Sequence, residues 1–485
     1  MAMNIAPTQD SSSSSSETGN LGFVIVISSV AAIGGFLFGY DSACINGTVD
    51  ALQKAFGSTS ATTGFNVASM LLGCAAGAFL AGGIADKFGR RSALFFSAIL
   101  FAIGAWGAGA STTSGMFVIS RLIGGFAVGA ASVIAPAYIS EVSPSAYRGR
   151  LASLQQLGIV TGIFLALLIN YLIARAAGKA IGVESDASAP LMGYAAWKWM
   201  FWAQLIPIAA FFLGLFIIPE SPRYLVSAGK SEKAQEILAK TSHPNDAPAK
   251  VAEIKATLAA DHRPSLKDLF DSATGSVHPV VWVGIIIAAL QQFVGINVIF
   301  YYGAVLWHAA GFSEADSLKI NVIGGTINVV STLIAIALVD SLGRKPLLIL
   351  GSIGMTVTLG IMAYIFGTAH VAADGSLQLS GIMGMTALIS ANAYIVAFGI
   401  SWGPVVWVLL GEMFPNQLRG AALAVSGLSQ WGSNFLITIT FPILLKSIGL
   451  GGAYGLYAAF ALISIFIVQA IVKETKGKTL EQMKA

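Results

Sequence analysis

Of the 485 residues, 55% are hydrophobic and only 10% are charged, whereas a soluble domain carries about 25% charged residues. Twenty-seven Lys and Arg against 23 Asp and Glu leave a net charge of +4, too small and too dispersed for a nucleic-acid footprint. So little polar surface cannot cover a water-soluble globule, and the chain reads as a polytopic membrane protein.

Residues 1–20 form a polar head containing the run Ser11–Ser16 and no Lys or Arg. With almost nothing to bury, this head is expected to be a disordered tail. It also lacks the basic region of a secretory signal, so the first apolar segment is expected to stay in the protein. Segments apolar enough to cross ~30 Å of hydrocarbon as helices then recur twelve times. They lie near 21–45, 64–84, 92–110, 115–139, 150–174, 197–218, 279–307, 318–339, 346–367, 383–410, 418–446 and 451–472. One long polar interval, 219–278, reads as short amphipathic helices and divides the spans six and six. The expected fold is all-α: an N-terminal six-helix bundle (21–218), a helical linker (219–278), a C-terminal six-helix bundle (279–472) and a tail (473–485).

Basic residues orient the chain. Lys54, Arg175, Lys179, Lys198, Lys319 and Lys446 fall on one side, Arg121 lies inside the fourth span, and the other twenty share the side of both termini and the linker. That side is expected to be cytoplasmic, which puts the chain in the cell membrane. Cys44 and Cys74 both lie in apolar stretches and make no disulfide framework.

The halves repeat. Asp86-Lys-Phe-Gly-Arg-Arg91 and Asp340-Ser-Leu-Gly-Arg-Lys345 stand 254 residues apart. Pro219-Glu-Ser-Pro-Arg223 and Lys473-Glu-Thr-Lys-Gly477 keep the same separation, and Glu141–Gly149 pairs with Glu412–Gly420. Paired motifs at matching places imply two homologous bundles around a central cavity. The second signature loop is degenerate, with Ile336 where the first has Gly82.

These loops resemble the major facilitator superfamily. Arg121-xxx-Gly-Gly125-xxx-Gly129, Pro219–Leu225, Lys473–Gly477, Gln291–Asn297 and the following Phe-Tyr-Tyr302 are similar to its sugar porter family, and within it to bacterial glucose and galactose transporters. The resemblance spans about 22–484. It implies proton-coupled, alternating-access import of a monosaccharide, glucose foremost, by a chain that works as a monomer without redox, metal or nucleotide cofactor. A uniporter and a non-transporting sugar sensor are the alternatives. The short head and tail argue against the sensor, and the lack of an intramembrane His or acid cluster argues against a membrane enzyme.

Site expectations follow from polar residues inside spans, where charge is expensive and marks function. Asp41 on span one and Arg121 on span four would each be costly alone, so they are expected to pair and to carry proton coupling. The carboxamides of Gln156, Gln291, Gln292, Asn297, Asn328, Gln430 and Asn434 both donate and accept, as sugar hydroxyls require. Trp407 and Trp431 offer faces for the apolar side of a pyranose. Gly399 stands where facilitative relatives carry an acid, so that contact is missing. Tyr301 and Tyr302 are candidates for an outer gate. Asp86, Arg90, Arg91, Glu141, Arg148, Glu220, Asp340, Arg344, Glu412, Arg419 and Glu474 are the groups that, by resemblance, join the bundles on the cytoplasmic side while the cavity faces outward.

Overall fold

The computed structural model describes residues 20–144, 147–242, 244–260, 266–270, 275–372, 377–379, 381–415 and 417–476. Most of residues 1–20, the last nine residues, and the side chains of Arg148 and Asp340 lie outside the described residues.

The first half opens with α1 (Leu21–Cys44), a 3-10 turn (Ile45–Thr48) and α2 (Val49–Phe56). It continues through α3 (Ser60–Phe88), α4 (Arg90–Ala110), α5 (Ser114–Val142) and α6 (Arg148–Ala180), and closes with α7 (Ala196–Trp202) and α8 (Leu205–Gly214). The linker contributes α9 (Pro222–Ser227), α10 (Ser231–Thr241) and α11 (Ala247–Ala260), which bury a small core of Leu225, Val226, Ala234, Leu238, Ala247 and Val251. The second half holds α12 (Pro279–Phe293), α13 (Ile296–Ala309), α14 (Glu314–Leu342), α15 (Arg344–Thr368), α16 (Gly381–Gly399), α17 (Trp402–Met413) and α18 (Arg419–Ile471).

Among the described residues, eleven helical stretches are long and apolar enough to cross a membrane. The last is double. Its 53 residues leave helical geometry at Gly449 (φ 68°, ψ −179°), so α18 supplies two crossings. Exposed Phe79, Trp106, Phe216, Ile382 and Phe466 put large apolar groups on the outside, where lipid accepts them and water would not.

Small residues bring helices together. A Cβ at Gly73, Gly77, Gly125 or Gly129 would collide with the facing backbone of α3 or α5, so these glycines let the two helices touch along their length. Across the halves, α3 packs on α18 and α6 on α14. In the second half two spans are broken in their backbone. Gly295, at φ 88°, separates α12 from α13, and residues 400–401 separate α16 from α17. Discontinuous helices leave peptide groups free to face a polar ligand within a bundle.

Both ends of the described residues reach one face, called here the terminal face. The Asn20 N–H donates to Lys240 O at 3.3 Å, and the hydroxyl of Thr475 donates to Glu412 Oε2 at 2.6 Å. At this face each half builds the same cage. In the first half, Glu220 accepts from the N–H groups of Arg90 (2.9 Å), Arg91 (3.1 Å) and Ser221 (2.8 Å), capping α4. Arg90 pairs with Glu141 at 3.1 Å and with Asp86 at 2.9 Å, and Ser221 donates its hydroxyl to Glu141. In the second half, Glu474 accepts from the N–H groups of Arg344 (3.0 Å), Lys345 (2.9 Å), Thr475 (2.9 Å) and Lys476 (2.8 Å), and Arg344 pairs with Glu412 at 2.7 Å.

These pairs lie within one half, not across the two. Each arginine opens its own helix and turns its guanidinium back to Ala85 O or Val339 O, which keeps it against the acid of its own half. Arg91 donates to Leu215 O (2.9 Å) and Arg419 to Phe414 O (3.1 Å), again locally.

Candidate functional site

Asp41, near the end of α1, and Arg121, in the second turn of α5, meet at 2.8 Å between Oδ1 and Nη1. Their side chains are 5% and 3% exposed. Arg121 also reaches Met70 Sδ at 2.8 Å, and its guanidinium lies over the Phe201 ring at 5.8 Å. Asp41 Oδ2 and Arg121 Nε have no protein partner. A buried pair held by one good contact and incomplete secondary bonding does little for stability on balance, but removing one member strands the other ion.

A second constellation lies wholly in the other half and is uncharged. Gln291 donates to Trp402 O at 2.7 Å, where α17 begins after the break. Its Oε1 accepts from Gln292 and from Gln430, each at 3.2 Å. Asn297 donates to Gln292 Oε1. The break at Gly295 is what sets Gln291 and Gln292, at the end of α12, beside Asn297, in the first turn of α13. Farther along, Asn434 donates to the Tyr301 hydroxyl (3.4 Å) and accepts from Thr438 (3.1 Å). Each amide therefore has polar company and can exchange a neighbour's bond for a ligand hydroxyl at small net cost, since one hydrogen bond replaces another.

Asn328 is buried on α14, close to Gly399. A Cβ at position 399 would press on Ser331 at 2.7 Å, so an acidic side chain there would force α14 and α16 apart. Gln156 is half-buried on α6, in the opposite half from the amide chain. Trp431 is buried and tilts against Phe38 of α1, ring centroids 5.7 Å apart. Trp407, 40% exposed, stands more open. Tyr302 donates its hydroxyl to Thr438 O at 3.0 Å and lies against Phe441, which ties α13 to α18 inside one half.

Phe38 and Gln155 escaped the sequence reading. Gln155 is buried beside Gly35, with both amide atoms unpartnered. The Gln155-Gln156 doublet signalled a polar face on α6, but adjacent helical residues point about 100° apart and sequence alone did not say which faced α1.

On the face opposite the termini, the halves touch through Asn46, whose amide spans from the 3-10 turn to α13 and α14. Asp50 and His308 approach to 4.0 Å nearby, and Glu314 accepts from the Ala187 N–H at 2.8 Å.

Comparison with known proteins places this architecture. Residues 27–485 match the family described as sugar (and other) transporter. The chain belongs to that family, the sugar porters of the major facilitator superfamily. It is similar to a glucose transport protein of Synechocystis, 56% identical over 98% of this chain and 99% of that one. A D-xylose-proton symporter of Escherichia coli is 38% identical over 96% of both chains. Among solved structures, the xylose transporter of Escherichia coli in a partially occluded inward-open conformation superposes with a TM-score of 0.80 at 36% identity, covering 94% of this chain and all of that one. The chain is thus a multi-pass membrane protein of the major facilitator fold, of a family that transports sugars and not one of enzymes.

Proposed function

We propose that the chain imports a hexose, glucose foremost, in symport with a proton by alternating access. It acts as a monomer in the cell membrane with both termini cytoplasmic, and the proton is the coupling ion with no further cofactor or nucleic-acid partner. The observation that carries this reading is the buried Asp41–Arg121 pair at 2.8 Å, set in one half while the other half carries an uncharged amide chain. The kinship with a glucose transport protein and a xylose-proton symporter supports both the substrate class and the coupling.

The amides of Gln291, Gln292, Asn297, Gln430 and Asn434, with Asn328 and Gln156 from the flanking helices, hold the sugar hydroxyls, and Trp407 covers an apolar sugar face. Tyr301, Tyr302 and the arginine–acid cages move with the gates. If reorientation draws Arg121 away, Asp41 is left as a lone charge in a buried place, and taking up a proton is the low-energy way to remain there. The proton then leaves on the side where the pair closes again. Import follows the proton gradient because only the neutral pair, or the protonated acid, can be buried through the transition.

Purified protein in liposomes tests this with labelled glucose, galactose and xylose, with and without an imposed pH gradient. Wild type should accumulate hexose only with the gradient. Asp41→Asn should retain exchange between two sugar-loaded compartments and lose accumulation. Uphill uptake surviving in Asp41→Asn would remove the assignment, and wild-type uptake that only equilibrates, with or without the gradient, would favour the uniporter.

A further inference from the structure

The residue that crosses between the halves most completely is one that neither the ion pair nor the amide chain uses. Asn46 follows α1 by two residues and is 1% exposed. Its Nδ2 donates to Phe300 O at 3.0 Å and to Ile299 O at 3.3 Å. Its Oδ1 accepts from the Ala304 N–H at 3.1 Å and from Asn321 Nδ2 at 3.0 Å. One carboxamide thereby binds α13 and α14 of the other half through both its ends. An Asn-Gly-Thr sequon in such a place is a buried contact and not an acceptor for a glycan.

The partner surface is shaped for it. A Cβ at Gly303 would collide with Asn321 Oδ1 and stand 2.8 Å from Asn46 Nδ2, so the notch exists because position 303 lacks a side chain. The other polar contacts at this face are different in kind. Asp50 and His308 are 44% and 64% exposed and 4.0 Å apart, and exposed pairs contribute little. The Ala187 N–H to Glu314 bond is part-buried and single; the Asn46 contact is buried and matched at both ends of its amide.

We propose that Asn46 is a positioning residue of the transport cycle, a latch that acts through α13 to hold the face opposite the termini closed and so sets the balance between the outward- and inward-open states. The proposal rests on the alternating-access reading above. When this face opens, water can satisfy the Asn46 amide and its partners; when it closes they satisfy one another. Loss of the side chain therefore costs the closed arrangement and spares the open one. Apparent affinity at each side scales with the population able to bind there.

The experiment measures glucose KM separately from each side, in right-side-out and inside-out vesicles, for wild type, Asn46→Ala and Gly303→Ala. Asn46→Ala should raise the internal KM about tenfold, the effect of one or two lost buried hydrogen bonds, while the external KM stays level or falls. Gly303→Ala, which wedges the same notch only when closed, should act as Asn46→Ala does, raising the internal KM and leaving the external KM level or lower. An unchanged internal KM, or a rise on both sides together, would overturn the latch. Amide hydrogen exchange of α13 in the purified protein gives a readout that needs no transport: it should quicken in Asn46→Ala, and unchanged protection would also overturn the proposal. If wild-type vesicles carried no sugar, the transport reading would fall while the exchange data still judged the latch.

Discussion

At the terminal face, Arg90 and Arg344 stand 254 residues apart in sequence and occupy matching surroundings. Each opens a helix, returns a guanidinium to the carbonyl five residues back, and pairs with an acid, Glu141 or Glu412. Each has its first N–H taken by a carboxylate, Glu220 or Glu474. Even the hydroxyl donated to the arginine's acid is matched, from Ser221 to Glu141 in one half and from Thr475 to Glu412 in the other. In the middle of the molecule the halves part company: the first holds a buried ion pair, the second an uncharged chain of amides. The lesson is that duplication kept the frame, whose task of capping helices is the same in both halves, and let the centre diverge, where one half buries an ion pair and the other a chain of neutral amides.

The largest effect should come from unbalancing the ion pair. Arg121→Ala strands Asp41 in the interior and should cost about 3–5 kcal/mol of stability, read as a large fall in Tm of the detergent-solubilised protein. Adding Asp41→Asn should restore most of the Tm without restoring pH-driven accumulation. A single Arg121→Ala variant as stable as wild type would mean the pair is not closed as described.

Next come the glycines that admit the capping acids. Gly89 and Gly343 have φ of 94° and 90°, and a Cβ at Gly89 would collide with the Glu220 carboxylate, while one at Gly343 would lie 2.9 Å from that of Glu474. Gly89→Ala and Gly343→Ala should each destabilise by about 1–3 kcal/mol, the cost of a strained backbone. Matching losses would sharpen the likeness of the two cages, and a silent variant on one side would break it.

In the diverged centre, Gln292→Ala should weaken glucose binding by about 1–3 kcal/mol, through an unpartnered hydroxyl or amide, with Tm nearly unchanged. Trp407→Ala should do less, since that ring is partly exposed. Isothermal titration against both purified variants checks the ranking. Near-normal binding in both would place the sugar elsewhere.

The smallest expected effect is a pH dependence. Burial alone would raise the Glu474 carboxyl, but the N–H groups of Lys476, Arg344, Lys345 and Thr475 outweigh it and hold the group below its ordinary range. A carboxyl lower in the folded than in the unfolded state stabilises above the unfolded value, about 4.3, and that contribution is lost as pH falls through the folded value. Tm should therefore stay level from pH 7 to 5 as far as this group is concerned. Below that it should decline more steeply in wild type than in Glu474→Gln, and parallel curves would count against the capping role.

Much of this was open to reading in the chain itself. Apolar runs of some twenty residues cannot be dissolved in water, so the spans were legible from composition and length. Asp41 and Arg121 were readable as partners because neither could be buried alone. The recurrence of Asp86–Arg91 at Asp340–Lys345 disclosed the duplication, since equal tasks at helix starts call for equal residues. Tertiary structure decided what depends on the meeting of distant surfaces. The run 279–307 shows no interruption by hydropathy, yet Gly295 divides it, because a glycine can turn the backbone only where neighbouring helices hold both pieces. Residues 418–446 and 451–472 read as two spans and are two, parted where Gly449 leaves helical geometry. Whether Gln155 or Gln156 faces α1 was settled by how α6 is rotated against α1. That Asn46 reaches into α13 and α14 was settled by the relative placement of the two bundles. Periodicity orients a residue about its own helix axis and carries no term for that placement.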